Sequence, residues 1–223
     1  MKEKEKAIKE QYRLLSNKII KNLIHKNFDA YYCDTSEEAV QKALSFLSEQ
    51  SSVSWGGSVT LEEIGLIEQI YQGNYLTIDR DKASTMEERF DLMRQALLCD
   101  TYLTSFNAIS EDGILINVDN IGNRVAAIAF GPKQVIAIIG MNKVCKTVEA
   151  AIERARTYAA PINAQRCTLD PHMPSVENTP CMKVGSCGNC QVPSCICSYI
   201  VETRRCKIPK RIKVLLVGEA LGF

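Results

Sequence analysis

The sequence lacks long apolar segments and any excess of charge of one sign. No run of 18 apolar residues occurs, and no apolar segment follows the charged residues 1–6, so we expect neither a membrane-spanning helix nor an export signal. The 27 basic and 26 acidic residues leave a formal net charge of +1, which gives no electrostatic reason to expect a nucleic acid or membrane partner. We therefore expect a cytoplasmic protein whose partner is a small molecule or another protein.

Internal repeats and low-complexity linkers are also absent, and 46% of the 223 residues are hydrophobic. Such a composition excludes wholesale disorder, and the length suits one substantial domain. The sequence therefore predicts a single domain over residues 1–223. Its one compositional break is a cysteine- and proline-rich segment over residues 166–206, which we interpret as an insertion within that domain.

Helical and strand patterns alternate along most of the chain. Residues 3–26 carry apolar side chains at three- and four-residue steps, which predicts an amphipathic helix that packs on the domain or on a second subunit of a homodimer. The predicted strands are 28–33, 52–55, 75–78, 101–105, 113–118, 126–130, 134–139 and 211–217. After the first helix, a second is predicted to begin at Thr35, and three more cover 59–71, 85–98 and 147–158. This order predicts a three-layer α/β fold, in which helices cover both faces of a mostly parallel sheet.

A glycine-rich turn follows the predicted strand 52–55. Gly56, Gly57 and Ser58 stand between that strand and the next predicted helix, where backbone N–H groups can converge on an anion. The hydroxyls of Ser58 and Thr60 can add further donors. The glycine spacing fits neither the dinucleotide-binding fingerprint nor the Walker loop. Two interpretations stay open at this point, a ligand-binding loop and a tight strand-to-helix turn.

The turns between the later strands contain amides, carboxylates and positive charges. Such residues are common in hairpin turns, but loops at the strand ends of an open α/β sheet are also where ligands bind. We therefore predict one site for a small anionic molecule, a carboxylate, a phosphate or a coenzyme A ester. Its predicted ligand-binding residues are Gly56, Gly57, Ser58, Thr60, Asn107, Asn123, Arg124 and Lys143.

Half of the ten cysteines are concentrated in one short segment. They are Cys181, Cys187, Cys190, Cys195 and Cys197. In a reducing compartment, clustered thiols bind metal or perform redox chemistry more often than they form disulfides. The pair Cys187-x2-Cys190, with glycines nearby, is typical of a tight turn that directs two thiolates at one ion. Zinc, a [4Fe–4S] cluster and free thiols in a flexible loop all remain open, and His172 in the same segment is either a further ligand, a general base or an exposed side chain.

Six short motifs occur in order between Trp55 and the C-terminal residues. They are Gly56-Gly57-Ser58-x-Thr60-Leu61-x-x-Ile64-Gly65, Asn107-Ala108-Ile109-x-x-Asp112-Gly113, Gly122-Asn123-Arg124-Val125, Phe130-Gly131-Pro132, Gly140-x-Asn142-Lys143 and Val217-Gly218-Glu219-x-Leu221-Gly222. Together they resemble the LUD family, the lactate-utilisation domain. In the short cysteine-containing members of that family, which this chain resembles most, the cysteine pattern corresponds to Cys181, Cys187, Cys190 and Cys197.

The resemblance implies a fold like those of ribose-5-phosphate isomerase and the coenzyme A transferases. Some LUD members are encoded with iron–sulfur redox subunits that oxidise lactate to pyruvate, and many have no assigned activity. The resemblance therefore implies an accessory or redox component of 2-hydroxy acid utilisation, with a [4Fe–4S] cluster or zinc held by the four matching cysteines. It predicts the fold more firmly than the function.

The same fold group suggests one catalytic hypothesis. Coenzyme A transferases carry a nucleophilic glutamate in a Glu-x-Gly turn, and Glu111-Asp112-Gly113 has that form. Attack by Glu111 on a thioester would give an acyl-enzyme anhydride, with Asp112 beside it and the Gly56-Gly57 backbone as oxyanion donor. An ordinary solvent-exposed turn explains the same residues. Three functions therefore remain open: a redox accessory protein, a transferase- or isomerase-like enzyme, and a non-catalytic binding or regulatory module.

Overall fold

The computed structural model describes residues 2–169 and 175–223, so His172 lies outside the described residues. The strands are β1 (Asp29–Cys33), β2 (Ser52–Trp55), β3 (Leu76–Ile78), β4 (Thr101–Thr104), β5 (Ala108–Ser110), β6 (Leu115–Asp119), β7 (Gln134–Gly140), β8 (Val144–Cys145), β9 (Tyr199–Thr203) and β10 (Ile212–Val217). The α-helices are α1 (Lys2–His25), α2 (Ser36–Leu44), α3 (Val59–Glu63), α4 (Leu66–Gln72), α5 (Met86–Gln95), α6 (Asn123–Ala129), α7 (Val148–Arg154), α8 (Ala160–Leu169) and α9 (Pro180–Val184).

Six strands form a central sheet in the order β1-β10-β7-β4-β2-β3, and every pair in it is parallel. The predicted parallel sheet is thereby confirmed. Parallel neighbours need a crossover between them, and helices supply it here, so both faces of the sheet are covered. The central strands are buried on both faces, as the nearly continuous apolar sequences of β7 and β10 require.

The two faces of the sheet carry separate hydrophobic cores because successive side chains of a strand point in opposite directions. In β7, Val135 and Ile139 join the core under α1, while Ile136 and Ile138 join the core under α2, α3 and α4. The inner face of α1 buries Leu23 completely in the first of these cores. The protein is therefore a three-layer α/β fold, and the prediction that the first helix packs on the domain is confirmed.

A second, four-stranded sheet in the order β8-β5-β6-β9 lies beside the first and was not predicted. The β5 and β6 strands form an antiparallel pair, and β9 adds to the other edge of β6 over five residue pairs. One face of this sheet packs on α7 through a small core that includes Ala108, Ile116 and Ala151. The predicted insertion 166–206 thus contributes a strand to the domain, and its first residues continue α8.

Two predicted elements differ from the structure. The strand predicted over 126–130 is wrong, because this segment forms most of helix α6 and a short apolar run does not by itself distinguish strand from helix. Gly122 turns the chain with a φ of 84°, and the Asp119 carboxylate accepts the Val125 N–H at 2.9 Å, which caps the first turn. The helix predicted over 59–71 is interrupted at Gly65, whose φ of 69° separates α3 from α4.

No helix among the described residues is long and apolar enough to cross a membrane.

The start of β10 is fixed to the end of α6 by one buried side chain. The guanidinium of Arg211 donates to the carbonyls of Ala127 at 2.9 Å, Ile128 at 2.7 Å and Pro132 at 2.9 Å. The first two belong to the last turn of α6, whose carbonyls have no partner within the helix. Arg211 therefore holds the helix end against the sheet.

We expect Arg211→Met to lower the free energy of unfolding by roughly 3 kcal/mol, because it leaves buried carbonyls without donors. Urea denaturation followed by circular dichroism measures this change. The exposed Arg205 offers a matched control, and Arg205→Met should change the unfolding free energy by less than about 0.5 kcal/mol. Equal stability of the two variants would contradict the assignment of Arg211 as the helix-end anchor.

Candidate functional site

A cavity lies at the carboxyl edge of the central sheet. Because the strands are parallel and closely in register, the loops that follow them emerge side by side. Gly56 and Gly57 follow β2, Arg80 follows β3, Ser105 follows β4 and Lys143 follows β7, and all five line the cavity. Its volume is about 360 Å³, which suits a small molecule.

The remaining walls come from the second sheet and from three helices. The end of β6 contributes Asp119, the start of α6 contributes Asn123 and Arg124, and α8 contributes Asn163 and Arg166. Apolar side chains cover one side of the cavity, and they are Met86, Phe90, Met93, Val118, Ile121 and Ile196. A polar floor with an apolar wall is the usual composition of a small-molecule site.

Two guanidinium groups approach the backbone of the glycine loop. A Cβ atom placed on Gly57 would lie 3.0 Å from Arg80 Nη2 and 3.5 Å from Arg166 Nη2. A Cβ atom on Gly56 would lie 2.9 Å from the Tyr102 hydroxyl. The absence of side chains at both positions therefore allows the loop backbone and these polar groups to come together.

Some of these polar groups are buried without a hydrogen-bond partner. Among the described residues, Arg80 Nε and the Tyr102 hydroxyl have no hydrogen-bond partner, although Arg80 Nε lies 3.7 Å from an Asp81 carboxylate oxygen. Asp81 itself is half exposed and makes a closer ion pair, at 2.6 Å, with Arg89. Buried polar groups are normally satisfied, and Arg80 lines the cavity, so its unpaired donor is typical of a ligand or water site.

Arg124 and Asp119 are held in place by the backbone around them. The Arg124 guanidinium donates to the carbonyl of Val118, at the end of β6. The Asp119 carboxylate accepts the backbone N–H groups of Asn120 and Val125, each at 2.9 Å. Asp119 is therefore committed to the turn, and Arg124 presents positive charge to the cavity.

Positive charge exceeds negative charge along the cavity wall. Its lining includes five basic residues and one acidic residue: Arg80, Arg89, Arg124, Lys143, Arg166 and Asp119. Within the described part of the chain, neither Arg124 nor Arg166 forms an ion pair with a carboxylate within 4.0 Å. Although the net charge of the protein is only +1, positive charge is concentrated at this cavity. An anion bound there would be attracted by several groups at once.

Lys143 is the most deeply buried positive side chain of the cavity, with 3% of its surface exposed. Its Nζ atom donates to Thr60 Oγ1 at 2.9 Å and to Ser105 Oγ at 3.1 Å. Burial is the largest cause that lowers the pKa of Lys143, followed by the charges of Arg154 and Arg124; with the opposing effect of Glu63, the pKa is about 7. Near neutral pH, a substantial fraction of the molecules therefore carry this side chain as a neutral amine.

Comparison with known proteins agrees with the architecture. The sequence pattern of the LUD domain matches residues 16–217. The chain belongs to the LUD family. A solved structure, a DUF162 family protein from Deinococcus radiodurans, is similar with a TM-score of 0.52 and 10% sequence identity, over 92% of this chain and 98% of that one. At this identity the likeness supports the fold alone, and no curated protein matches the chain.

All eight ligand-binding residues predicted from the sequence line the same cavity of this LUD domain. They are Gly56, Gly57, Ser58, Thr60, Asn107, Asn123, Arg124 and Lys143. Not all of them offer free groups: the Asn107 side chain accepts the Val118 N–H at 2.9 Å and so helps to hold β6. Their role in ligand binding stays a prediction, but the structure brings them together.

The two predicted catalytic carboxylates do not line the cavity. Glu111 lies in the turn between β5 and β6, where Lys18 at 2.6 Å and Lys146 at 2.9 Å bind one carboxylate oxygen. Hydrogen bonds from these two lysines hold the pKa of Glu111 below its usual value. Asp112 accepts the hydroxyl of Ser110 within the same turn. This placement favours a structural role that fastens the turn to α1.

The cysteine segment packs against α8. Cys181 is buried beside Cys167 and Ile196, and burial raises the pKa of Cys197 to about 12, with a further contribution from the nearby Cys195 and Cys181. Within residues 2–169 and 175–223, no group of three or more His, Cys, Asp or Glu side chains is arranged to hold a metal. The zinc or [4Fe–4S] site at Cys181, Cys187, Cys190 and Cys197 has no support from this arrangement and stays a prediction.

Sequence reasoning missed polar residues of the cavity, among them Arg80 and Arg166, and it missed the buried Tyr102 beside Gly56. Arg80 stands two residues after β3, and its position at the end of a parallel strand was a usable signal. Tyr102 lies within β4 and is indistinguishable from a core residue in the sequence. Arg166 belongs to α8, inside the segment interpreted as an insertion, so nothing local relates it to the glycine loop.

We expect Lys143→Met to remove part of the pH dependence of stability. The unfolded amine has an ordinary pKa of 10.5 and the folded one a pKa of about 7, so the unfolded state holds the extra proton between these values. The contribution of Lys143 to the free energy of unfolding therefore increases between these two pH values, by roughly 1 kcal/mol per pH unit. The Lys143→Met variant should lack this increase.

Urea denaturation at pH 7, 8 and 9 gives the two slopes to compare. Lys146, which is 75% exposed, provides the matched control, and Lys146→Met should keep the pH dependence of the unsubstituted protein. Parallel curves for the unsubstituted protein and Lys143→Met would show that Lys143 is protonated in the folded state throughout this range.

Proposed function

We propose that this LUD-family protein binds a small carboxylate of the 2-hydroxy or 2-oxo acid class in the cavity at the carboxyl edge of the sheet. The single observation that supports this most is the approach of Arg80 and Arg166 to the backbone of Gly57. A guanidinium presents two parallel N–H groups that match the two oxygens of a carboxylate. The cavity volume of about 360 Å³ favours a small acid over a macromolecular ligand.

The supply of donors around Gly57 also supports the proposal. Arg80 and Ser58 both belong to the cavity lining, and Arg80 Nε is buried without a hydrogen-bond partner among the described residues. Charge-assisted hydrogen bonds to an anion are roughly twice as strong as neutral ones. A bound carboxylate would therefore offer acceptors to Arg80 and Ser58 and offset the mutual repulsion of the guanidinium groups.

The name of the family suggests which acids to test first. Lactate utilisation involves a 2-hydroxy acid and the corresponding 2-oxo acid, and both carry the carboxylate that the cavity suits. A part in lactate utilisation as an accessory component, alongside iron–sulfur redox subunits, belongs to the same proposal. We assign ligand binding to this chain and no electron-transfer step.

The two other hypotheses receive less support from the geometry. A transferase mechanism that uses Glu111 requires this carboxylate to face the ligand, whereas Glu111 lies outside the cavity lining and is bound by Lys18 and Lys146. A non-catalytic sensor of a small acid would use the same binding site, so it differs from our proposal only in the steps after binding.

Isothermal titration calorimetry with lactate, pyruvate, inorganic phosphate and coenzyme A tests the proposal. We expect lactate and pyruvate to bind, and Arg166→Gln to weaken their binding roughly tenfold or more, because a hydrogen bond to a charged group contributes about 1.5–3 kcal/mol. Arg166 is half-buried and its Nε donates to Asn163, so the substitution leaves the main-chain contacts of α8 in place.

Arg205→Gln serves as the control, since Arg205 is exposed and lies outside the cavity. It should leave the affinity unchanged. If phosphate or coenzyme A binds tightly and neither acid binds, the ligand of this site is another anion and the proposed carboxylate is wrong. If no ligand binds the unsubstituted protein, or if Arg166→Gln binds as well as Arg205→Gln, the cavity is not the anion site.

A further inference from the structure

The Lys143 amine has a geometry that anion binding alone does not require. Its side chain is buried, lines the cavity and has no carboxylate within 4.0 Å among the described ion pairs. A lysine that only attracts an anion functions best as an exposed or paired ammonium group. Burial without a counter-charge disfavours the ammonium form and favours a neutral amine, which is a nucleophile.

The hydrogen bonds of Lys143 leave its lone pair available. A neutral amine has two N–H groups and one lone pair, and the hydroxyl oxygens of Thr60 and Ser105 accept two N–H groups at 2.9 and 3.1 Å. The Gly222 backbone packs against the Lys143 amine, since a Cβ atom placed on Gly222 would lie 3.2 Å from Lys143 Nζ and 2.5 Å from Thr60 Oγ1. The amine is thus fixed in position by contacts on several sides.

The charged groups around Lys143 come from three different helices. Arg124 at the start of α6 and Arg154 at the end of α7 oppose protonation of the amine, and Glu63 at the end of α3 favours it. The Glu63 carboxylate accepts the Gly222 N–H at 2.6 Å, and Arg154 donates to the Asn107 carbonyl at 2.6 Å. Two positive groups against one engaged carboxylate favour the unprotonated amine at neutral pH.

We propose that Lys143 forms an imine with a carbonyl compound that carries a carboxylate or phosphate group, and this rests on the proposed binding of an anion in the cavity. The lone pair of Nζ attacks the carbonyl carbon, and the carbonyl oxygen takes up a proton to give a carbinolamine. Loss of water then leaves a protonated imine. Overall, one amine, one carbonyl group and one proton give one iminium ion and one water molecule.

The same cavity supplies a further requirement of this reaction. The guanidinium groups beside Gly57 hold the anionic part of the ligand, so that the carbonyl group meets the amine as an intramolecular partner. The α5 residues Phe90 and Met93 add an apolar wall beside these polar groups.

Reductive trapping tests the proposal directly. The full chain is incubated at pH 7 with pyruvate, dihydroxyacetone phosphate or acetone in the presence of sodium cyanoborohydride, which reduces an iminium ion to a stable amine. We expect one adduct per chain with pyruvate or with dihydroxyacetone phosphate, according to whether the site prefers a carboxylate or a phosphate. Acetone has the carbonyl group without an anion, and it should be trapped roughly tenfold less.

Peptide mapping of the trapped unsubstituted protein identifies the modified lysine without any substitution. We expect the adduct at Lys143, its loss in Lys143→Met and Lys143→Arg, and its retention in Lys146→Met. Circular dichroism of each variant confirms that it is folded. An adduct on another lysine, equal trapping by acetone, or no adduct with either anionic ligand would overturn the proposal.

Lactate separates this inference from the proposed function. It carries the carboxylate but no carbonyl group that an amine can attack, so it binds without forming an imine. If lactate binds in an Arg166-dependent manner while pyruvate binds and is not trapped, the anion site stands and the imine at Lys143 is wrong. If neither acid binds and neither is trapped, both proposals are wrong.

Discussion

The parallel pairing of the central strands is the constraint on which the rest of the molecule depends. Strands that run in the same direction place all their carboxyl ends at one edge, so the loops that follow them all emerge at that edge. The glycine loop, Arg80, Ser105 and Lys143 are far apart in the sequence and follow four different strands. Their meeting around one cavity is a consequence of strand direction, and the second sheet and α8 close the remaining sides.

The cavity also shows how a nearly neutral protein can present a strongly positive site. Overall, 27 basic residues are balanced by 26 acidic ones, and a count of charges predicts no preference for anions. In the folded chain Asp119, the acidic residue of the described cavity lining, is committed to backbone N–H groups. The guanidinium groups of Arg124 and Arg166 remain unpaired by carboxylates among the described ion pairs. Local pairing, and not total charge, determines the electrostatics of the site.

Much of the fold and part of the site could be predicted from the sequence. Apolar strands separated by amphipathic helices indicate a parallel sheet, and the turns after β2 and β7 contain recognisable glycines and Lys143. The small second sheet was missed because its strands are as short as Ala108–Ser110, and such segments resemble turns. Arg166 could not be related to Gly57 because their contact depends on how α8 crosses the domain. Glu111 has a suggestive local sequence, but its turn faces α1, which no local pattern reveals.

The position of β10 in the sheet has a consequence for how the protein is made. This strand lies between β1 and β7, and it pairs with residues more than 180 positions earlier in the chain, such as Asp29 with Lys213. During synthesis β1 therefore has no neighbour in the central sheet until residues 212–217 have left the ribosome. Contacts of such sequence separation form slowly and leave apolar strand edges exposed meanwhile. Until its last strand arrives, the unfinished chain is therefore more prone to aggregate than the complete one.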